Sequence, residues 1–535
     1  MQIGRLELFT DYPVITAENI IPILQSAYPK HVVNAAKCDY LLNYEAGRQP
    51  IDRKKIQRPE IDNKVVDNVA AEVIDFKLGY FWGNPITFVQ RGTKDSGSEK
   101  ESEAIALLNE AYEAEGIKEK NQKLGRFVEI CGIGYTYIDI KSEWSEGESP
   151  FQIEALDPRY AFVIKSSYYI DHRVMVGVSF RIDDNGNRHY TAITKDARYE
   201  IDELAVMTGR RQKVEKGSPV YDWNLRSFGT DEQYLAIVNR LGTVPIIEYI
   251  RSHDRMGAFE KQIPEMNNLN LLVSDFTNDV EQNTQAVMMA IDIEMGKEIV
   301  EDENGNKVEV ERTPKNGDWL FTYSTPDGKT PSLQSITSDY QYDAMLNNIL
   351  VRRNLILKKC HVPERNDDSG GSTGLAMDAA TGWNDAEVDA AKEQMVIEPA
   401  KMREVKVVLE AIRKSNHLEA DSPLLELKFS DIQANLKRSK GYEMSSKINS
   451  LCTALAHGIA PDHMIRAINF FEDPNQVYED SKPYLDRYYD SVFKTEEPEE
   501  SQEQANDPEE EPNADRNMQD ISDQTETSPF MDNVK

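Results

Sequence analysis

The stretch from Leu333 to Asn416 decides how the chain is read, and its centre is His361-Val362-Pro363-Glu364-Arg365-Asn366-Asp367-Asp368-Ser369-Gly370-Gly371-Ser372-Thr373-Gly374. Before this polar loop, Ile336, Tyr342, Leu346, Ile349 and Ile356 predict a helix over 333–359, whose end carries Arg352, Arg353, Lys358 and Lys359. After it, Val388, Ala391, Met395, Met402, Val405, Leu409 and Ile412 recur at intervals of three, four or seven, the spacing of one helical face. A second, longer helix is therefore expected, kinked at Pro399, where a missing N–H and a bulky ring interrupt the ladder. The glycines invite a phosphate-loop reading. A Walker loop ends in Gly-Lys-Ser/Thr and follows an apolar strand. This loop has no lysine and follows a polar turn, so nucleotide binding is set aside. The cations alone would be an ordinary solvated helix end. Their place beside a glycine-rich loop raises a functional reading.

Composition sets the frame around this stretch. At 535 residues there is material for two to four domains with buried cores. A charged fraction of 29% against 39% hydrophobic suits a protein in water. No run approaches the roughly 18 to 20 apolar residues that a bilayer span needs. Met1–Thr10 lacks the basic start and apolar core of a secretory signal, so the chain is expected in the cytoplasm. A formal charge of −32 argues against wrapping nucleic acid by neutralising phosphates. It leaves room for a surface past which DNA slides without sticking.

Taken outward from the loop, the chain reads as α+β. Residues 1–39 hold Pro13, Pro22 and Pro29 and read as an N-terminal arm without long helices. A helix ends at Gly47, and the basic loop Arg53, Lys54, Lys55 and Arg58 follows. Asn63–Tyr80 predicts an amphipathic helix, with Val66, Val69, Val73, Phe76 and Tyr80 on one face. Gly83-Asn84-Pro85 turns into a strand at Ile86–Val89, and helices follow at Glu103–Gly116 and Asn121–Ile130. Tyr135–Ile140 and Phe151–Leu156 alternate as half-buried strands do. Short strands fill Val174–Tyr249, with a hairpin turn at Asp183-Asp184-Asn185-Gly186-Asn187. A helix is expected over Met266–Ile291, with Leu269, Leu272, Phe276, Val280, Val287 and Ile291 on one side. Asn267, Asn270, Ser274, Asn278, Glu281 and Gln285 line the other. A small insertion, 292–331, holds a turn at 303–306 and a strand at Trp319–Tyr323. Leu425–Ser430 reads as a strand, and Tyr442–Leu455 and Pro461–Phe471 as helices. Residues 496–535 are acidic, poor in apolar side chains and expected to be disordered.

The residues offer no catalytic constellation. Cys38, Cys131, Cys360 and Cys452 lie far apart, without a C-x-x-C pair, and read as free thiols. The eight histidines form neither H-E-x-x-H nor H-x-H, and no G-x-S-x-G occurs. Asp183 and Asp184 could be imagined as metal ligands, but before Asn-Gly they read as turn residues. No metal and no cofactor is expected.

Six segments in order resemble the portal protein family of tailed, siphophage-type bacteriophages. They are Tyr44-Glu45-Ala46-Gly47-Arg48 with Ile51 and Arg53-Lys54; Asn63-Lys64-Val65-Val66 running to Gly79-Tyr80-Phe81-Trp82-Gly83-Asn84-Pro85-Ile86-Thr87-Phe88; Asp157-Pro158-Arg159; Gly242 with Val244-Pro245-Ile246-Ile247-Glu248; Ser372-Thr373-Gly374-Leu375-Ala376-Met377; and Phe429-Ser430-Asp431-Ile432 with Phe470-Phe471-Glu472-Asp473-Pro474. The resemblance implies a non-enzymatic, multi-region portal fold: a ring of subunits, usually twelve, around a central channel at one capsid vertex of the virion. It implies a wing over 40–261, stem helices over 262–291 and 333–359, and a clip over 292–332. A tunnel loop over 360–373, a long kinked helix over 374–416, a crown over 417–490 and a tail over 491–535 complete the assignment. The implied partners are other copies of the chain, the major capsid and scaffolding proteins, the terminase large subunit, a head–tail connector protein and double-stranded DNA. The loop residues His361, Val362, Pro363, Glu364, Asn366, Asp367, Asp368, Ser369, Gly370, Gly371, Ser372 and Thr373 would narrow the channel, and Arg352, Arg353, Lys358, Lys359 and Arg365 would face DNA. Two other readings stay open at this stage: a carboxylate- or metal-dependent DNA-processing enzyme, and a capsid scaffold without a DNA path.

Overall fold

The computed structural model describes residues 4–493 apart from 54–58, 92–98, 142, 146, 169, 171, 210–226, 229–235, 285–286, 292–296, 302–306, 312–331, 337–341, 364–381, 416–421, 439–447, 449–450, 456, 458, 462–463 and 466–473. Its first strand, β1 (Phe9–Thr10), leads into helix α1 (Ile20–Glu45). Asn19 shapes the turn before α1: its Oδ1 accepts from the Thr16 N–H at 2.7 Å, and its Nδ2 donates to the Val14 carbonyl. Pro22 lies in the first turn, where its missing N–H removes no bond, but Pro29 lies inside the helix. An interior proline costs about 3 kcal/mol. Burial of Ile20, Ile21, Ile23 and Leu24 contributes about 1.5–3 kcal/mol each and outweighs it. The prolines therefore do not prevent a long helix. Nor are the described residues 4–39 peripheral: Arg5 is fully buried, and His31 stacks on Phe162 with ring centroids 4.3 Å apart.

Helix α2 (Val69–Phe81), strand β2 (Thr87–Gln90) and helices α3 (Glu99–Ala114) and α4 (Ile117–Cys131) follow. Strands β3 (Ile133–Ile140), β4 (Phe151–Leu156), β5 (Ala161–Ser166), β6 (Val174–Ile182), β7 (Arg188–Ile193) and β8 (Ala197–Asp202) come next. After helix α5 (Glu203–Thr208) lie β9 (Ser227–Phe228), β10 (Ala236–Val238) and β11 (Ile246–Ile250). One sheet has the order β1-β5-β6-β7-β8-β10-β9, with only β1 and β5 parallel. Side chains of α1 join its core with Phe162, Ile164, Val176, Val178, Tyr190 and Ile201. The hairpin between β6 and β7 turns where expected. Gly186 has φ +84°, and Asp183 Oδ1 accepts from the Asn185 and Asn187 N–H groups at 3.0 and 2.7 Å. The side-chain and backbone bonds from Asn187 hold the Asp183 carboxyl down at about 2, as a turn residue. A second sheet, β11-β3-β4, packs against α4. The alternation read in Phe151–Leu156 is seen there, with Phe151, Ile153 and Ala155 buried.

Helix α6 (Ile263–Thr284) is followed by β12 (Val287–Ile291), β13 (Lys297–Glu301), β14 (Lys307–Glu311), β15 (Ser332–Ile336) and helix α7 (Tyr342–Lys359). β12 pairs with β15 and β13 with β14, both antiparallel. Two expectations are corrected here. Val287–Ile291 does not continue α6, and Leu333–Ile336 does not begin α7; both are strands, held by each other five residues deep. The expected turn at 303–306 and strand at Trp319–Tyr323 lie outside the described residues. The helices run antiparallel, because Phe276 meets Tyr342 (centroids 6.1 Å apart) while Glu265 lies 3.9 Å from Lys359.

The polar side of α6 is buried as well as its apolar one. Asn270, Ser274 and Asn278 are at most 1% exposed, because the segment 63–67 lies extended along them. The backbone N–H groups of Asp67, Val65 and Asn63 donate in turn to Asn270 Oδ1 (2.9 Å), Ser274 Oγ (3.0 Å) and Asn278 Oδ1 (2.7 Å). Helical neighbours four apart thus meet strand neighbours two apart. The helix expected over Asn63–Tyr80 accordingly starts only at Val69, capped by Asn68 Oδ1 accepting from the Ala71 N–H. Asn278→Leu should leave the Asn63 N–H buried and unbonded, at about 1–3 kcal/mol. Hydrogen exchange at 62–67 should then rise at least about tenfold. Unchanged exchange would mean that the side chains do not hold this segment.

Helix α8 (Trp383–Lys414) crosses the second sheet, and helix α9 (Pro423–Glu426), strand β16 (Ile432–Asn435) and helix α10 (Pro474–Phe493) follow. α8 runs through Pro399, which is exposed. Its predicted face holds in the second half, where Met402, Val405, Leu409 and Ile412 are buried, and fails in the first. There Val388 and Met395 are 53% and 75% exposed, and Ala386, Ala390, Glu393 and Ile397 point inward. The strand expected at Leu425–Ser430 is instead a short helix, a 3-10 turn at Phe429–Asp431 and then β16, which pairs with β2. Most of the helices expected at Tyr442–Leu455 and Pro461–Phe471, and all of 496–535, lie outside the described residues. Among the described residues no helix is long and apolar enough to cross a membrane.

Candidate functional site

The end of α7 explains the start of the loop. The Val362 N–H donates back to the Leu357 carbonyl (3.0 Å), and the His361 N–H to Lys358 (3.0 Å). His361 takes φ +57°. This paired closure is a Schellman cap with a histidine where glycine is usual, and Leu357 and Val362 are both buried in one core, as the motif favours. Lys358 and Lys359 occupy the last turn, where cations complement the carbonyl end of the helix dipole. Pro363 then ends any further turning.

The loop returns to its own root. Gly382 precedes α8 with φ +86°, and a Cβ built on it would lie 3.9 Å from the Pro363 Cα. The chain therefore leaves and re-enters at one place. Glu364–Thr373, including Arg365, lies outside the described residues; His361, Val362 and Pro363 do not. At this root Trp383 meets the rings of Phe76 and Tyr80, with centroids 5.9 and 5.7 Å away. Tyr80 donates its hydroxyl to Glu387, which also pairs with Arg438 at 2.8 Å. Deeper in, Asp389 pairs with Lys77 (2.7 Å) and Arg251 (2.6 Å), and Arg251 reaches Glu129 (2.9 Å).

The four described cations divide. Arg353 is held by Asp67 (3.3 Å) and by Glu72, and so ties α7 to the start of α2. Arg352 donates to Asn348 Oδ1 (3.0 Å) and lies 4.0 Å from Glu265. Lys359 approaches the same carboxylate. Lys358 is exposed and has no ion-pair partner within 4 Å among the described residues. Arg352 and Lys359 are thus gathered around Glu265, while Arg353 faces the body of the protein.

The model for the family described as "phage portal protein, SPP1 Gp6-like" matches residues 31–508. This chain belongs to the phage portal protein family. No curated protein matches the sequence. In this portal protein the residues that reasoning from sequence missed are the buried charges of α8. Lys401 and Glu404 form an ion pair at 1% and 0% exposure, and Glu393 is 3% exposed. Their spacing, three or four apart from buried alanines and valines, was a signal; their charge hid it. Among the described residues no group of three or more His, Cys, Asp or Glu side chains could hold a metal ion.

Proposed function

We propose that this portal protein assembles as a ring of twelve at one vertex of a phage capsid and conducts double-stranded DNA during packaging and ejection. The match over residues 31–508 carries this reading, since it spans the sheets, the α6–α7 pair and α8 together. Exposed apolar side chains on α7 support it. Leu346, Leu350, Val351 and Leu355 are 46–58% exposed, and a neighbouring subunit would remove them from water. In the ring, α6 and α7 are the stem and β12–β15 belong to the clip, which meets the terminase large subunit and later a head–tail connector. The surrounding shell supplies the major capsid and scaffolding proteins. Residues 361–373 narrow the channel, and Arg352, Lys358, Lys359 and Arg365 touch passing phosphates. Packaging draws its power from a separate motor. The two alternatives, an enzyme acting on DNA and a scaffold without a channel, have no observation in their favour.

Purified protein should show rings by electron microscopy and a mass near 730 kDa by light scattering, twelve subunits of 61.0 kDa. A chain ended after Thr495 should give rings of the same subunit number, lighter only by the 40 residues removed from each subunit. A persistent monomer of the full chain would overturn the ring. Loss of rings in the shortened chain alone would assign the tail to assembly.

A further inference from the structure

At the root of the loop two buried carboxyls face each other. Glu129 on α4 is fully buried, and Glu393 on α8 is 3% exposed. Glu129 has its donors: Arg251 Nε at 2.9 Å on Oε2, and Trp82 Nε1 at 3.4 Å on Oε1. Glu393 Oε1 is buried and receives no hydrogen bond. The group within hydrogen-bonding reach of Glu393 is the Glu129 carboxyl itself, and two ionised carboxylates cannot bond to each other.

Counting charge decides the state. Around the pair, α2 supplies Lys77, the end of β11 supplies Arg251, and α8 supplies Asp389. From the end of α7 come Cys360 and His361. Burial pushes the Cys360 thiol up to about 11 and moves His361 down from its ordinary value, so both are neutral near pH 7. Two cations therefore stand against Asp389, Glu129 and Glu393. The balance closes only when one carboxyl is neutral, and Arg251 and Trp82 assign the negative charge to Glu129.

We propose that Glu129 and Glu393 share one proton, and that this proton sets how tightly the first half of α8 is held against α4 beneath the loop. Burial and the neighbouring Glu129 both move Glu393 upward, which agrees with the charge count. The sign follows. A carboxyl raised in the folded state contributes its full stability below the unfolded value and loses it as pH rises towards the folded one. The grip on α8 should weaken on going alkaline.

The experiment compares the full chain with Glu393→Gln, Glu129→Gln and the double variant between about pH 5 and pH 9. Wild type should lose thermal stability towards the alkaline end, and hydrogen exchange at 386–397 should rise with it. Glu393→Gln keeps the donor to Glu129 without a titratable proton. It should melt about 3 °C or more above wild type at the alkaline end and show a flat profile there. Each single variant leaves the charges balanced, whereas the double variant leaves a surplus cation and should melt below both. In wild type, an infrared carbonyl band of a protonated carboxyl should persist at neutral pH and vanish in Glu393→Gln. An unchanged pH slope in Glu393→Gln, or the absence of that band, would overturn the proposal.

Discussion

Replacing Lys401 by methionine should destabilise the protein by about 3–5 kcal/mol, the cost of leaving a buried charge without its partner. Lys401 Nζ pairs with Glu404, donates to Asn121 Oδ1 at 3.1 Å and lies 5.5 Å from the centroid of the Tyr112 ring. Glu404 also accepts from Thr136 Oγ1 (3.2 Å) and from the Tyr249 hydroxyl. Water reaches none of this: the two side chains are 1% and 0% exposed. The variant therefore keeps the volume and loses the compensation. Lys401→Met with Glu404→Gln should recover most of the loss, because an amide oxygen still serves Thr136 and Tyr249 while the charge is gone. Denaturant unfolding of both variants checks this. A single variant within about 1 kcal/mol of wild type would overturn this account of the pair.

Removing the two cations at the end of α7 should separate assembly from transport. Lys358→Ala with Lys359→Ala should leave ring yield unchanged and lower packaged DNA by about tenfold, the effect of losing a charge-assisted contact of about 1.5 kcal/mol. Lys358 is exposed and unpaired among the described residues, and Lys359 lies only 3.9 Å from Glu265, both 40% or more exposed, so neither holds the fold. Arg353→Ala should behave differently. It strands Asp67 and Glu72 beside α2 and should lower stability before it affects packaging. Equal loss of rings and DNA in the lysine pair would make these side chains structural.

The alternation expected of Tyr135–Ile140 fails, since Tyr135 and Thr136 are both buried, but a half-buried strand could be read in advance where one face meets a core and the other does not. Phe151–Leu156 shows this, and Asn185-Gly186 placed its hairpin for a local reason, a turn that needs positive φ. Failures came where a distant segment decides. Val287–Ile291 reads as a continuation of α6 until Ser332–Ile336 pairs with it. Asn63–Asn68 carries a helical apolar pattern, but α6 offers it a row of side-chain acceptors that an extended chain can use. The first half of α8 buries a different face from the one its apolar spacing predicts, because the buried side includes Glu393, and a carboxyl reads as solvated unless its partners on α4 are known. At the candidate site, the end of α7 at Lys359 was legible, while the long helix expected from 374 is described only from Trp383. The division of Arg353 from Arg352 was not legible, since it depends on Glu72 and Glu265, which are remote in sequence.

The row along α6 works as a vernier. Four helical residues advance about 6.0 Å, and two extended residues about 6.6 Å. Over the three rungs Asn270, Ser274 and Asn278 the mismatch accumulates to little more than 1 Å, which side-chain torsions absorb; a fourth or fifth rung would outrun them. The contact is therefore self-limiting in length and intolerant of a shift. Deleting one residue between 63 and 67 would turn the paired N–H groups on one side of the deletion to the opposite side of the strand. Among relatives this segment should vary freely in side chains and hardly at all in length.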